Sequence, residues 1–222
     1  MAIAQELLGS FSDAEAVRDG ISRASATVDV GLAAGEATAD ILVELKGLAV
    51  QASQEGLDQT SRDALNAEFN ALRDQITTIN DSAAFAGSNL IAAGAADQDI
   101  LASEKGDHIG VDAQGLSVTG LGIDSLALDS AANALAAVDD AITDSSAKLA
   151  NLGSSAKQLE THNELLGVQN DTLRAGIGDL IDADLAVESA NLVSGQIKEA
   201  LGVISLNIGN AAPGRLVAMI GG

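Results

Sequence analysis

Any chemistry in this chain would have to come from carboxylates and two histidines. Asp139-Asp140, Asp97 with Asp99, and Asp182 with Asp184 set acidic groups side by side. Paired carboxylates perform acid–base work on glycosides or hold calcium. With 32 acidic residues among 222, however, close pairs arise by chance. Asp182-Ala183-Asp184 is also too short for a calcium loop. His108 and His162 stand apart, outside any H-x-x-x-H or H-E-x-x-H spacing. No G-x-S-x-G, P-loop or dinucleotide fingerprint occurs, and Gly120-Leu121-Gly122 is an isolated glycine pair. The expectation is a chain without catalytic, cofactor or metal residues, and not an enzyme.

Composition narrows the classes further. Lys+Arg is 11 against Asp+Glu 32, a net charge of −21. That balance repels phosphate backbones and anionic membrane surfaces. Hydrophobic residues are 47% of the chain but aromatics only 1%, so a core must come from Ala, Leu, Ile and Val. Such a set suits closely packed helices better than sandwiches or barrels. Cysteine is absent, and the one proline is Pro213. No run of about 18 apolar residues reads as a membrane span. Met1–Leu8 lacks the basic start and apolar run of a Sec signal, so export by that route is not expected.

The elements follow from spacing. Leu135, Val138, Ile142, Ser145, Leu149, Leu152, Ala156, Leu159, Asn163, Leu166, Asn170 and Leu173 alternate steps of three and four. This is a heptad seam on one helix roughly 60 Å long. Ser145, Asn163 and Asn170 are either solvent-exposed stretches of the seam, the expectation here, or buried polar residues that set register. A second long helix is predicted from about Asp13 to Ser53. Its apolar face runs through Val17, Ile21, Ala24, Val28 and Leu32, then Ile41, Leu45, Leu48 and Ala52. No single register joins the two parts, and Gly31 and Gly35 sit at the slip. A kink or a close helix crossing would explain them, and the crossing is favoured because Ala33 and Ala34 are also small.

A turn at Glu55–Gln59 leads to a shorter helix, capped by Thr60 or Ser61 with Asp63 in its first turn. Its seam is Leu65, Phe69, Leu72, Ile76 and Ile79. From about Phe85 to Asp129 the alternation shortens, and two or three hairpin strands are predicted at Asp99–Ala102, His108–Asp112 and Leu116–Thr119. From about Ile181 the chain turns helical again, with Asp182 and Asp184 favouring a helix start. Ala186, Ala190, Val193, Ile197, Ala200, Ile204 and Ile208 form one face, while Leu192, Val203 and Leu206 add apolar area elsewhere. A helix apolar on several faces needs cover, from other copies or not at all.

Three blocks resemble the flagellin family, particularly its short alphaproteobacterial members. They are Asp19-Gly20-Ile21 through Gln51-Ala52-Ser53; Phe69-Asn70-Ala71-Leu72-Arg73 leading into Phe85-Ala86-Gly87-Ser88-Asn89-Leu90-Ile91; and Leu180-Ile181-Asp182-Ala183-Asp184-Leu185-Ala186-Val187-Glu188. The second is similar to the family's F-N-G-x-x-L-L turn, with Ala86 in place of Asn. The third is similar to its D-A-D-x-A-x-E motif. The resemblance places Met1 inside the family's first rod helix, behind a missing N-terminal segment.

The resemblance implies a mainly α fold: a long antiparallel coiled-coil-like helical rod, with a small β-hairpin region between the N- and C-terminal helices. Its segments would be residues 1–84, 85–129, 130–180 and 181–222. It implies a self-assembling subunit of the extracellular flagellar filament, exported by the flagellar type III route. The implied partners are other flagellin subunits, a flagellar chaperone, the filament cap and hook-junction proteins. An alternative is a non-polymerising truncated flagellin-like protein that binds an export chaperone, or a hook–filament junction protein. Sites are then interfaces or rod packing. The candidates are Leu45, Leu48, Gln51, Phe69, Ile76, Asp182, Asp184, Glu188, Val193, Ile197 and Ile204. Some animal receptors recognise a basic position of the family's first rod helix; Glu44 stands there, so strong recognition is not expected.

Overall fold

The computed structural model describes residues 2–220. The elements are α1 (Ala2–Ala52), α2 (Gln59–Ser82), strands β1 (Gln98–Leu101) and β2 (His108–Val111), a 3-10 turn at Leu128–Ser130, and α3 (Ala131–Ile220). The chain divides into two compact units, residues 12–170, and residues 1–11 with 171–222.

In the unit of residues 12–170, α1 has one continuous seam. Ala14, Val17, Ile21, Ala24, Val28, Gly31, Gly35, Thr38, Leu42, Leu45, Ala49 and Ala52 are all buried, in alternating steps of three and four. The register slip expected at Gly31 and Gly35 is therefore absent. Glycines and a threonine occupy seam positions, where apolarity alone does not mark them. The close approach favoured from sequence is present. A methyl group on Gly35 would lie 2.5 Å from Leu149 Cδ2 and 2.8 Å from Leu116 Cδ1. Thr38 turns its hydroxyl back to Ala34 O at 2.9 Å, which lets a polar residue sit in the seam.

Helix α3 packs antiparallel to α1 in this unit. Near one end, Arg18 Nε donates to Asn163 Oδ1 at 2.9 Å. Near the other, Lys46 pairs with Asp139 at 2.6 Å, on the surface where such pairs add little stability. Val138, Ser145, Leu152, Leu159 and Leu166 are buried at intervals of seven, with the intervening seam positions half-buried. A strict seven-residue repeat of this kind is the coiled-coil pattern.

The expectation that polar seam residues face solvent is overturned. Ser145 and Asn170 are 0% and 5% exposed, and Asn163 is half-buried while donating to Ser22 Oγ at 3.2 Å. Ser145 Oγ has no hydrogen-bond partner. An unpaired buried hydroxyl loses its hydration without return, and serine is a poorer helix former than alanine. Ser145→Ala is expected to stabilise the unit by about 1–2 kcal/mol. Urea unfolding would show a higher midpoint at unchanged slope.

Helix α2 is capped by Asp58, not by Thr60 or Ser61; Asp58 Oδ1 accepts from Ser61 N at 2.7 Å. That bond, with a second from the Ser61 side chain, holds the Asp58 carboxyl below its ordinary value of 3.8. Because its folded value is depressed, the cap's contribution is present above the ordinary value and is lost as pH falls through the lowered one. The first turn of α2 contains no acidic residue; Asp63 instead accepts from Gln59 Nε2 at 2.8 Å.

After α2 the chain reverses at Phe85–Ser88. Phe85 and Ser88 exchange two backbone bonds of 2.9 Å. Ala86 and Gly87 both take positive φ, 51° and 84°. Two positive φ values mark a type I′ turn, which favours Asn-Gly. Ala86 is strained there because its Cβ crowds the following carbonyl. Ala86→Asn is expected to stabilise by about 1 kcal/mol, raising Tm by about 2–4 °C.

β1 and β2 pair antiparallel, Gln98 with Val111 through Leu101 with His108. The third predicted strand, Leu116–Thr119, does not form. Residues 113–127 instead run as an irregular strap whose Leu116, Leu121 and Ile123 enter the core. Nor does a new helix begin at Ile181. α3 continues unbroken past Gly176 and Gly178, since about 1 kcal/mol per glycine is too little to end it.

Candidate assembly surface

His162 Nε2 donates to Ala102 O at 2.7 Å, tying the end of β1 to α3. Arg73 Nη1 donates to Leu126 O at 2.9 Å. Among the described residues no group of three or more His, Cys, Asp or Glu converges to hold a metal ion. No helix among them is long and apolar enough to cross a membrane.

Four of the candidate residues lie inside the chain's own core. Leu45, Phe69 and Ile76 are 0% exposed and Leu48 is 7%. They are packed intramolecularly, and their side chains present no surface to a neighbour. Gln51 is exposed at the end of α1. Two exposed residues that sequence reading passed over lie near it, Val43 and Val50, seven apart on one face of α1 with Gly47 between them. They occupy positions outside the seam, where an apolar residue has no intramolecular reason to be; that was the available signal. Leu165 and Val168 of α3 are similarly exposed.

The remaining candidates sit on the second unit. Every side chain from Gly178 to Ile208 is exposed, including Asp182, Asp184 and Glu188. Val193, Ile197 and Ile204 are 50%, 54% and 54% exposed on one face, at helical spacing. Leu201 is exposed beside Ile197 and Ile204 on that face, and Leu185, Leu192 and Leu206 are exposed on other faces. Between Ser189 and Ile208 the only charged residues are Lys198 and Glu199. A helix so apolar all round is the composition of one buried on several sides, yet here it is bare. Exposed apolar area on this scale marks an interaction surface.

Comparison with known proteins agrees with this architecture. The bacterial flagellin N-terminal helical region matches residues 1–96. The bacterial flagellin C-terminal helical region matches residues 135–220. Flagellin FljN of Caulobacter vibrioides is 40% identical, over 98% of this chain and 81% of its own length. Flagellin FljO of the same organism is 36% identical over the same shares. The crystal structure of Bacillus cereus flagellin superposes with a TM-score of 0.60 at 24% identity, covering 66% of this chain and 88% of that one. A protein described as a flagellar hook-associated protein from Vibrio parahaemolyticus gives 0.66 at 13% identity, covering 80% and 96%. At these identities the two structures speak to the fold alone. The curated relatives and the two matched regions speak to ancestry: the chain belongs to the flagellin family.

Proposed function

We propose that this chain, a structural subunit of the bacterial flagellar filament, makes its principal inter-subunit contacts through the apolar faces of α3 between Leu180 and Ile208. The observation that carries this reading is the exposure of that helix: twelve large hydrophobics in this stretch are each more than a third exposed. Burying one such side chain contributes about 1.5–3 kcal/mol, and a filament repeats the contact at every subunit. In this reading Val193, Ile197 and Ile204 lie at the centre of the contact. Asp182, Asp184 and Glu188 bound its N-terminal end, where like charges disfavour a shifted register.

Val43, Val50 and Gln51 supply a smaller lateral contact on the other unit. Leu45, Leu48, Phe69 and Ile76 serve rod packing only. The flagellar chaperone, cap and hook-junction proteins are further partners in this reading, each engaging the same apolar helix, and export follows the flagellar type III route. The chain does no catalysis in it. The test is seeded polymerisation: purified chain is added to short fragments of related filaments and followed by negative-stain electron microscopy. Elongation is expected; a chain that stays monomeric beside competent seeds overturns the reading.

A further inference from the structure

We propose that residues 113–127 form a strap that opens and closes as one piece over the α1–α3 contact, and that Lys148 is its latch. The strap has no ladder of its own. Its first half docks through Gln114 N to Leu90 O at 2.7 Å and Leu116 N to Ile91 O at 2.9 Å. What closes it over α3 is an ammonium. Lys148 Nζ donates to Gly115 O at 2.8 Å and Gly120 O at 3.0 Å, and pairs with Asp144 Oδ2 at 2.7 Å. An ammonium has three N–H donors, and all three are used. By contrast, Lys46 and Lys157 each pair with a carboxylate on the surface.

The loop is shaped to present those two carbonyls together. A methyl group on Gly120 would lie 2.5 Å from Gly115 O, so a glycine is needed where the strap folds back on itself. Ser117 Oγ accepts from Gly120 N at 3.1 Å and fixes the same bend. Directly after Gly115 comes Leu116, fully buried, with its Cδ1 in the notch left by Gly35. The latch therefore holds the carbonyl next to the plug. The Lys148 side chain keeps 20% exposure, so water reaches the latch from outside and the latch can exchange partners without unfolding the helices. At the far end the strap is fastened separately, by Arg73 on Leu126 O and by Asn66 Oδ1 accepting from Leu128 N at 2.9 Å. This end acts as the hinge.

Amide hydrogen exchange on the full chain tests the latch. In Lys148→Met, exchange at Gln114 and Leu116, whose amides bond Leu90 O and Ile91 O outside the strap, is expected to accelerate at least tenfold. The Ala102 amide, bonded to Asp107 O at 2.7 Å, and the amides of α1 should keep their rates. Unchanged rates in the strap overturn the proposal, and so does an equal acceleration across the chain, which would make Lys148 an ordinary stability residue. Asp144→Ala removes one of the three acceptors from an exposed position and leaves the fold intact. It should accelerate the same strap amides about threefold, and no acceleration there overturns the latch. Asn66→Ala, which removes the acceptor of Leu128 N, should free Leu128 and leave Leu116 protected; release of Leu116 to the same degree as in Lys148→Met would place the latch at the wrong end.

Discussion

Ile197→Asp combined with Ile204→Asp is expected to abolish filament elongation while leaving the unfolding of residues 12–170 unchanged. Both side chains are 54% exposed and lie on one face of α3 seven residues apart. In the free chain the substitution touches no packed neighbour, so stability should move by less than about 0.5 kcal/mol. In a filament the same positions would be covered, and a carboxylate buried without a partner costs several kcal/mol in each contact. Summed over every subunit, that exceeds what a growing end can tolerate. The measurement is sedimentation of seeded mixtures, with urea unfolding of the same variant beside it. Normal elongation of the double variant would remove this face from the assembly surface, even where the chain itself polymerises.

Phe69→Ala is expected to cost about 3–5 kcal/mol of stability, the largest loss from any single truncation here. The chain has only three phenylalanines. Phe11 is half-buried, Phe85 is exposed, and Phe69 is 0% exposed in the core shared with Leu45, Leu48 and Leu128. A core otherwise built from aliphatic side chains on long helices has few ways to collapse onto a ring-sized void. The loss corresponds to a Tm lower by about 10 °C for a unit of this size. Thermal unfolding followed by circular dichroism reads it directly. A loss under about 1.5 kcal/mol would mean that the neighbouring helices close the space.

What the sequence made legible was what repeats. The three–four alternation from Leu135 to Leu173 became the α3 seam, because leucine and valine at that spacing have few other uses. The same alternation in α1 was read as broken, since Gly31, Gly35 and Thr38 are seam positions without an apolar signature. Beside the two glycines the space is taken by Leu149, Leu152, Ile91 and Leu116 arriving from elsewhere in the chain, and no local pattern announces that. Ser145 and Asn170 misled for the same reason: identity suggested solvent, while position in the heptad put them inside. The segment Leu116–Thr119 belongs to a strap docked by two backbone bonds and by side chains, not to a strand. Leu116 and the adjacent Ser117 are both buried there, so burial does not follow the two-residue period of a strand. Exposure of the tail followed from counting: more apolar residues than the rest of the chain could cover.

The antiparallel contact of α1 with α3 also fixes when the subunit can fold. Arg18 meets Asn163 across 145 residues of chain, and Ser22 meets it across 141. Contacts so distant in sequence must close a long loop before they return any energy. A chain made only as far as residue 130 holds one wall of its core, from Ala14 to Ala52, together with α2 and the hairpin. The wall that faces it does not yet exist. During synthesis the apolar seam of α1 therefore stays without its main partner until residues 131–170 have emerged. Cooperative folding of this unit waits for the stretch of α3 that ends at Asn170.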